Sequence, residues 1–329
     1  MDLLTHAALG AAGAVAIAPA GRVRLAAAAG GLAGLLPDAD ILIVSEADPL
    51  LNLEFHRHFS HSLVFTPIGA CLAALLVWWL FRRRVAFATI YLYCFVGYLL
   101  APLLDACTSY GTHLLWPFSD RPIAWNIVSV VDPVVTAGIV VPLLVAIRRR
   151  QRVFAAVAVG VAVVGLGTGW IQHERAERLA REHAASRGHA PERMLVKPTL
   201  GNLVLWRALY VHQGRIHADA VHVGLSARVY PGESAPLLDP ARDLDLPDGS
   251  RARADLVRFE RFADALLVRH PARPDMIGDV RYSMLPTSVE PLWGIVIDTG
   301  APNQASKFET TRRWSPEIRQ RYTDMLLGR

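Results

Sequence analysis

Residues 62–81 read SLVFTPIGACLAALLVWWLF, a run without one charged side chain. About 20 apolar residues in a helix cross the hydrocarbon of a bilayer, so this run reads as a membrane span. Trp78, Trp79 and Phe81 close it in the manner of an interfacial aromatic belt. Three further runs follow: AFATIYLYCFVGYLLAPLL (86–104), VVTAGIVVPLLVAI (134–147) and VFAAVAVGVAVVGLGTGWI (153–171). Residues 3–20 and 25–44 are weaker candidates, rich in Ala and Gly and separated by GRVR. They suit either two short spanning helices or a re-entrant hairpin, because small residues favour close helix packing in lipid. Asp2 stands where a cleavable signal carries positive charge, and His6 interrupts the apolar stretch, so the first segment reads as a retained helix.

The mean hydropathy is +0.30 and hydrophobic residues make up 53%, most of them before residue 171. The expected fold is an α-helical polytopic membrane bundle of about four to six transmembrane helices over 1–171. A small soluble α+β domain over 172–329 is expected to follow. Its strand signals are NLVLWRALYVHQ, GRIHADAVHVGLS, RADLVRFERFADALLVRH, DMIGDVRYSML and WGIVIDT, punctuated by YPGES and LPDGS. They predict a mostly antiparallel sheet. A charged helix over 173–189, ended by Pro191, precedes it and a helix near 315–327 closes it.

The net charge of +5 comes from arginine, since Lys197 and Lys307 are the only lysines. Arg22 and Arg24, then Arg82, Arg83 and Arg84, then Arg148, Arg149, Arg150 and Arg152 fill three short turns. With six spans these turns share one side, which the positive-inside rule makes cytoplasmic. His6, residues 38–61 and 105–132 and the C-terminal half then share the opposite, periplasmic side. A four-span alternative, with the first hairpin peripheral, leaves that side unchanged. No basic stripe interleaved with aromatics appears, which argues against nucleic acid. Cys71, Cys94 and Cys107 form neither a disulfide framework nor a CxxC zinc motif. P-loop, GxGxxG, GxSxG and HExxH motifs are absent.

Ionisable groups at membrane depth are costly unless paired or metal-bound, which makes them functional candidates. They gather at the ends of the apolar runs: His6 in MDLLTHAALG, Asp38 and Asp40 in LLPDAD, His56, His58 and His61 in FHRHFSH, and Asp105 after LLAPLL. Pro37 disfavours helix at Leu36, and in an extended chain Asp38 and Asp40 face the same way. The bland alternative is an Asp-rich turn capping the next helix. If FHRHFSH is helical, His58 and His61 are neighbours; as a loop, any pair can converge. Imidazole and carboxylate together make zinc sites. Arg57 suits an anionic group, or simple interfacial anchoring. Asp132 before Pro133 is a second-tier candidate whose plain reading is a helix cap. His212, His217 and His222 recur at five-residue spacing, which on one strand alternates faces and reads as scattered surface histidines.

THAALG, LLPDAD, HRHFSHS and LLDACTSYGTHLLWPFSDR occur in that order over roughly residues 1–150. Together they resemble the YdjM-type family, described as LexA-binding, inner-membrane-associated, metal-dependent hydrolases. The resemblance implies a bacterial inner-membrane protein with a metal site at His6, Asp38, Asp40, His56, His61 and Asp105. A more distant likeness to zinc phospholipases C implies a phosphoester substrate. The family often carries a histidine four residues before the aspartate of DxxTxYG; here that position is Ala101. That departure takes away one ligand or proton carrier and leaves three alternatives: His58 or His113 compensates, the site holds one metal instead of two, or it is catalytically dead.

The expected function is a multi-pass membrane hydrolase in which a divalent metal, with zinc the first expectation, activates water. Asp40 is the expected general base and Arg57 the group that offsets developing negative charge. A site at the bilayer surface suits a lipid-linked or other amphiphilic substrate. The rival is a non-catalytic inner-membrane scaffold or stress-response protein with a structural metal. Transport is disfavoured, because the ionisable groups cluster at one face and not at mid-membrane. Oligomeric state is not legible.

Overall fold

The computed structural model describes residues 1–80 and 85–329, so Phe81, Arg82, Arg83 and Arg84 of the expected belt and basic turn lie outside the described residues. The chain separates into two compact units. The first comprises Met1–Leu42, Phe55–Ile171 and Leu200–Leu203; the second comprises Ile43–Glu54, Gln172–Thr199 and Val204–Arg329.

The helices run in order α1 (Leu3–Ile17), α2 (Val23–Leu35), α3 (Leu51–Phe55), α4 (Thr66–Leu80), α5 (Phe87–Ala106), α6 (Pro133–Arg149) and α7 (Arg152–Ser186). Two of them, α5 and α7, are long and apolar enough to cross a membrane. A third span arises if Leu51–His61 and α4, bent by 86°, count as one. The expected segments 3–20 and 25–44 fold as helices of 15 and 13 residues. At about 1.5 Å per residue each is roughly 20 Å long, short of a hydrocarbon core of about 30 Å. No break separates the apolar run 153–171 from the charged helix expected after it. Both form α7, a helix of 35 residues. It ends at Ser186, before Pro191; the chain then turns at Gly188, whose φ of +74° suits glycine, and the His189 amide donates back to the Ala184 carbonyl at 3.0 Å.

Small residues set the geometry of the first unit. Asp2 caps α1, its carboxylate accepting from the Thr5 amide at 3.0 Å. Where α1, α2 and α5 cross, Gly10, Gly30 and Gly97 leave backbone against backbone. A Cβ on Gly10 would lie 2.5 Å from the Gly30 carbonyl oxygen, and one on Gly34 would lie 2.7 Å from that of His6. Such proximity needs glycine and allows van der Waals packing where lipid offers no hydrophobic gain. Arg22 reaches Thr89 at 3.5 Å, so α2 and α5 start at the same end. Thr5 and Thr136 touch at 2.6 Å, which places the start of α6 beside the start of α1. The ends of α2 and α5 and the starts of α1 and α6 therefore meet at one end of the bundle. Asp132 is a helix cap there, accepting from the amides of Val134 and Val135 at 3.0 and 3.1 Å.

The second unit holds two antiparallel sheets where one was expected. The first orders β1 (Arg193–Pro198), β2 (Leu205–His212), β3 (Arg215–Val223) and β4 (Ala227–Tyr230), with β5 (Ser234–Pro236) also on β3. Short helices α8 (Pro240–Asp243) and α9 (Arg251–Phe262) follow. The second sheet orders β6 (Leu267–His270), β7 (Arg273–Asp279), β8 (Trp293–Val296) and β9 (Lys307–Thr310), and α10 (Pro316–Leu326) closes the chain. The expected strand RADLVRFERFADALLVRH is instead α9, a turn and β6. Ala252, Asp255, Leu256 and Phe259 are buried at three- to four-residue spacing, and Ser250 caps the helix through the Arg253 amide. Leu256 and Phe259 join Leu50, Leu267, Ile277 and Ile295 in a core between α9 and the second sheet.

The β2–β3 connection corrects another expectation. Gln213 and Gly214 have φ of +51° and +69°, the signature of a tight hairpin turn. Tyr210 pairs with His217 and His212 with Arg215. His212 and His217 therefore stand on different strands but on the same face, with Tyr210. His222, opposite Leu205, faces the other way. Counting parity along a single strand missed the reversal.

Candidate metal centre

Three turns at one end of the helical unit carry the ionisable groups. Pro37–Leu42 is a 3₁₀ turn, not the extended segment expected. Leu36 keeps a helical backbone, φ −66° and ψ −35°, despite the proline after it. Three residues per turn send Asp38 and Asp40 in different directions. FHRHFSH is neither one helix nor a plain loop. The chain leaves α3 at Phe55, reverses at Arg57 with φ +60°, and makes a 3₁₀ turn over Phe59–His61. Asp105 lies in the last turn of α5.

Asp38 and Asp40 grip opposite sides of one imidazole. His61 Nε2 lies 3.6 Å from Asp38 Oδ1, and His61 Nδ1 lies 3.2 Å from Asp40 Oδ2. His6 Nδ1 meets Asp38 Oδ2 at 2.7 Å, while His6 Nε2 faces Asp105 Oδ1 at 3.2 Å. Asp105 Oδ2 is 3.1 Å from His61 Nε2. One ligand atom each from His6, Asp38 and Asp105 falls within 4.8 Å of the other two. The Met1 amino group also contacts Asp105. His6, His61 and Asp105 are at most 1% exposed, and Asp38 is 9% exposed.

Asp40 lies one step further out. Its carboxylate takes His56 Nδ1 at 2.9 Å, the Arg57 amide at 2.8 Å and the Ser60 hydroxyl at 2.9 Å, besides His61. His56 goes with it, packed edge-on against Tyr110. Arg57 is not turned to an open space. Its guanidinium bonds Thr108 Oγ1 at 2.8 Å and reaches Asp105 Oδ1 at 3.0 Å, with the Tyr110 ring 5.1 Å away. The six expected ligands thus divide into an inner group of His6, Asp38, His61 and Asp105 and an outer pair, Asp40 and His56. Burial would push the carboxyls of Asp38 and Asp40 up. Hydrogen bonds from His6 and His61 to Asp38, and from His56 and His61 to Asp40, outweigh it and hold both below the usual carboxylate range.

His58 and His113, the suggested substitutes for the histidine absent at Ala101, stack on each other at 4.6 Å and beside Trp116. Burial, then the neighbouring His58, lowers the pKa of His113 to about 4. Sequence reasoning passed over Ser60, whose carbonyl accepts from the Tyr98 hydroxyl at 2.7 Å, and the role of Thr108 as anchor for Arg57. The only available sign was their position beside the histidine and aspartate motifs.

The donor set passes a test for a divalent cation. His6 Nε2, His61 Nε2 and Asp105 Oδ2 are buried without a hydrogen-bond partner, and both ring nitrogens face the Asp105 carboxylate, His6 towards Oδ1 and His61 towards Oδ2. Two imidazoles and two carboxylates suit zinc or a related metal. Imidazoles fixed from behind by carboxylates match the outer support that such sites use.

The chain is 35% identical over 108 residues to the inner membrane protein YbcI of Escherichia coli (strain K12). That match covers 31% of this chain and 60% of YbcI, so the chain spans about three fifths of this relative. No solved structure matches. The family model described as YdjM inner membrane protein matches residues 1–176, which contain every residue of the cluster. With more than half its length matched by that model, this chain belongs to the YdjM inner membrane protein family.

Proposed function

We propose that the chain is a membrane-bound, metal-dependent hydrolase whose divalent metal, zinc by the chemistry of the donors, is held by His6, Asp38, His61 and Asp105. One observation carries the reading: His6, Asp38 and Asp105 bring one ligand atom each within 4.8 Å of one another, and the buried, unpartnered Nε2 of His61 lies 3.1 Å from Asp105 Oδ2 beside them. A metal bound there supplies a Lewis acid and a water acidified towards neutrality. Asp40 fixes the Nδ1 side of His61 and leaves Nε2 turned inward. Its four partners cast it as a positioning residue and not the general base that the sequence suggested. Arg57 holds Asp105 in place and offsets part of the cluster's negative charge.

The substrate class we assign is an amphiphile carrying a hydrolysable phosphoester. Ile41 and Leu42, directly after Asp40, are 59% and 78% exposed, and Phe118 in the loop after Asp105 is 85% exposed. Apolar exposure of this kind suits contact with lipid. Helix ends support a periplasmic orientation for the cluster: Arg22, Arg24, Arg148, Arg149 and Arg150 all lie at the end of the bundle away from it, the side that the positive-inside rule makes cytoplasmic. By this reading α4 and α6 join α5 and α7 as spans, and the short pair α1 and α2 packs among them as a hairpin, giving a multi-pass bundle of four to six membrane helices.

Elemental analysis of the full chain purified in detergent tests the proposal. The wild type should carry near-stoichiometric divalent metal and release phosphate or a headgroup from a phosphoester lipid. Asp105→Asn should lose both while still inserting. Asp40→Asn should weaken metal binding by about 10- to 100-fold, the usual effect of removing an outer support. A wild type free of transition metal under metal-retaining purification refutes the proposal, and tightly bound metal with no hydrolysis of any phosphoester lipid reduces the site to a structural one.

A further inference from the structure

A second group of histidines lies in the sheet unit, and the hydrolase reading makes no use of it. The tight β2–β3 hairpin puts Tyr210, His212 and His217 on one face. The left-handed turn at Gly188 lays His189 over them. The rings form a continuous stack. His212 and His189 have centroids 4.6 Å apart, His189 and His217 4.7 Å, and His217 and Tyr210 4.8 Å with planes 11° apart. His189 Nδ1 bonds the Tyr210 hydroxyl at 2.9 Å, and His212 Nδ1 bonds the Ala190 carbonyl at 3.2 Å. His217 is 8% exposed, and its Nδ1 is buried without a hydrogen-bond partner.

The charges around the stack make it intolerant of protons. His183 comes from α7 and Arg187 from the turn just after it, and from β3 come Arg215 and Asp219. Asp219 is the sole carboxylate among the charged groups that act on both His189 and His217. It is already committed, taking Arg187 at 3.4 Å and the Gly232 amide at 2.9 Å, with His183 Nε2 at 4.0 Å. Glu192, next along, accepts from the Gln213 amide at 2.9 Å. Two protonated rings less than 5 Å apart, with arginine on both sides and no free carboxylate, would repel.

We propose that His212, His189, His217 and Tyr210 form a proton-operated clasp, which fastens the end of α7 to the β2–β3 hairpin while the imidazoles are neutral and releases it on acidification. The direction of titration agrees with the geometry. Burial first, then His189 and Arg187, takes the pKa of His217 from 6.5 to about 4, and burial, Arg187 and His212 lower that of His189. The closed form binds fewer protons than the open one. Closure is therefore fully favoured above pH 6.5 and is lost as pH falls towards 4. For His217 alone this linkage weakens closure by about 30-fold between pH 8 and pH 5.

Hydrogen exchange on the full chain in detergent reads the clasp through the His189 amide, which donates to Ala184 when closed. After correction for intrinsic rates, its protection should fall by about 30-fold or more between pH 8 and pH 5. His189→Phe combined with His217→Phe keeps aromatic rings in the stack and should abolish the fall. His222→Gln, on the opposite face, should leave it unchanged. Exchange at the histidine C2 carbon in the wild type, which needs no variant, should give both His189 and His217 values below the ordinary 6.5. Ordinary values at both, or a fall of the same size in the double Phe variant, overturn the proposal.

Discussion

Lys197 shows how far a single side chain can stand from its comfortable state. It is 6% exposed, its ammonium lies 3.2 Å from the centroid of the Tyr282 ring, and Nζ has no hydrogen-bond partner. Nearby Arg281 keeps the one close carboxylate, Asp279, at 2.8 Å. Arg207 spends its donors on the carbonyls of Val280, Leu285 and Pro286. Burial, then Arg281, holds the pKa of Lys197 well below 10.5. The folded protein thus binds fewer protons there than the unfolded chain, and stability rises with pH up to about 10.5. Lys197→Met should raise stability by about 1–2 kcal/mol at pH 7, measured by thermal or denaturant unfolding. The gain should shrink as pH approaches 10, and a gain independent of pH would contradict the argument.

At the scale of elements, the crossing of α1, α2 and α5 decides whether the cluster assembles. A Cβ at Gly97 would collide with the Gly30 backbone, and one at Gly10 would lie 2.5 Å from the Gly30 carbonyl oxygen. Gly97→Ala and Gly10→Ala should each cost about 1–3 kcal/mol and lower metal content, because backbone cannot give way as a side-chain tip does. Near-normal melting and metal content in both would show that the helices have slack. Much of this was legible in the sequence. The apolar runs marked α4 to α7, small residues marked the close pair α1 and α2, and six motif residues marked the cluster. What failed was local. Pro37 was read as ending helical geometry, yet its φ also fits the 3₁₀ turn that splays Asp38 from Asp40. RADLVRFERF looked β-prone, yet its apolar residues fall at helical spacing behind Ser250. The division between inner ligands and outer support was hidden because it depends on which carboxylate faces which ring nitrogen across three turns.

For the molecule as a whole, the proposed topology rests on helix ends. The cluster gathers where α2 and α5 finish and α1 and α6 start, and the described arginine turns sit at the other end. Reporter fusions after Arg150 and after Arg329 should therefore report opposite compartments, cytoplasmic and periplasmic. The same compartment for both would invert or cancel the assignment. Opposite compartments would put the proposed phosphoester substrate, in the outer leaflet, within reach without crossing the bilayer.

The glycine crossing also limits how such a protein can diverge. Where main chain lies directly on main chain, no layer of side chains remains to be enlarged, trimmed or swapped as lineages drift. Change in reactivity has to enter through the two short turns, Pro37–Leu42 and Phe55–His61, while the scaffold beneath stays nearly fixed.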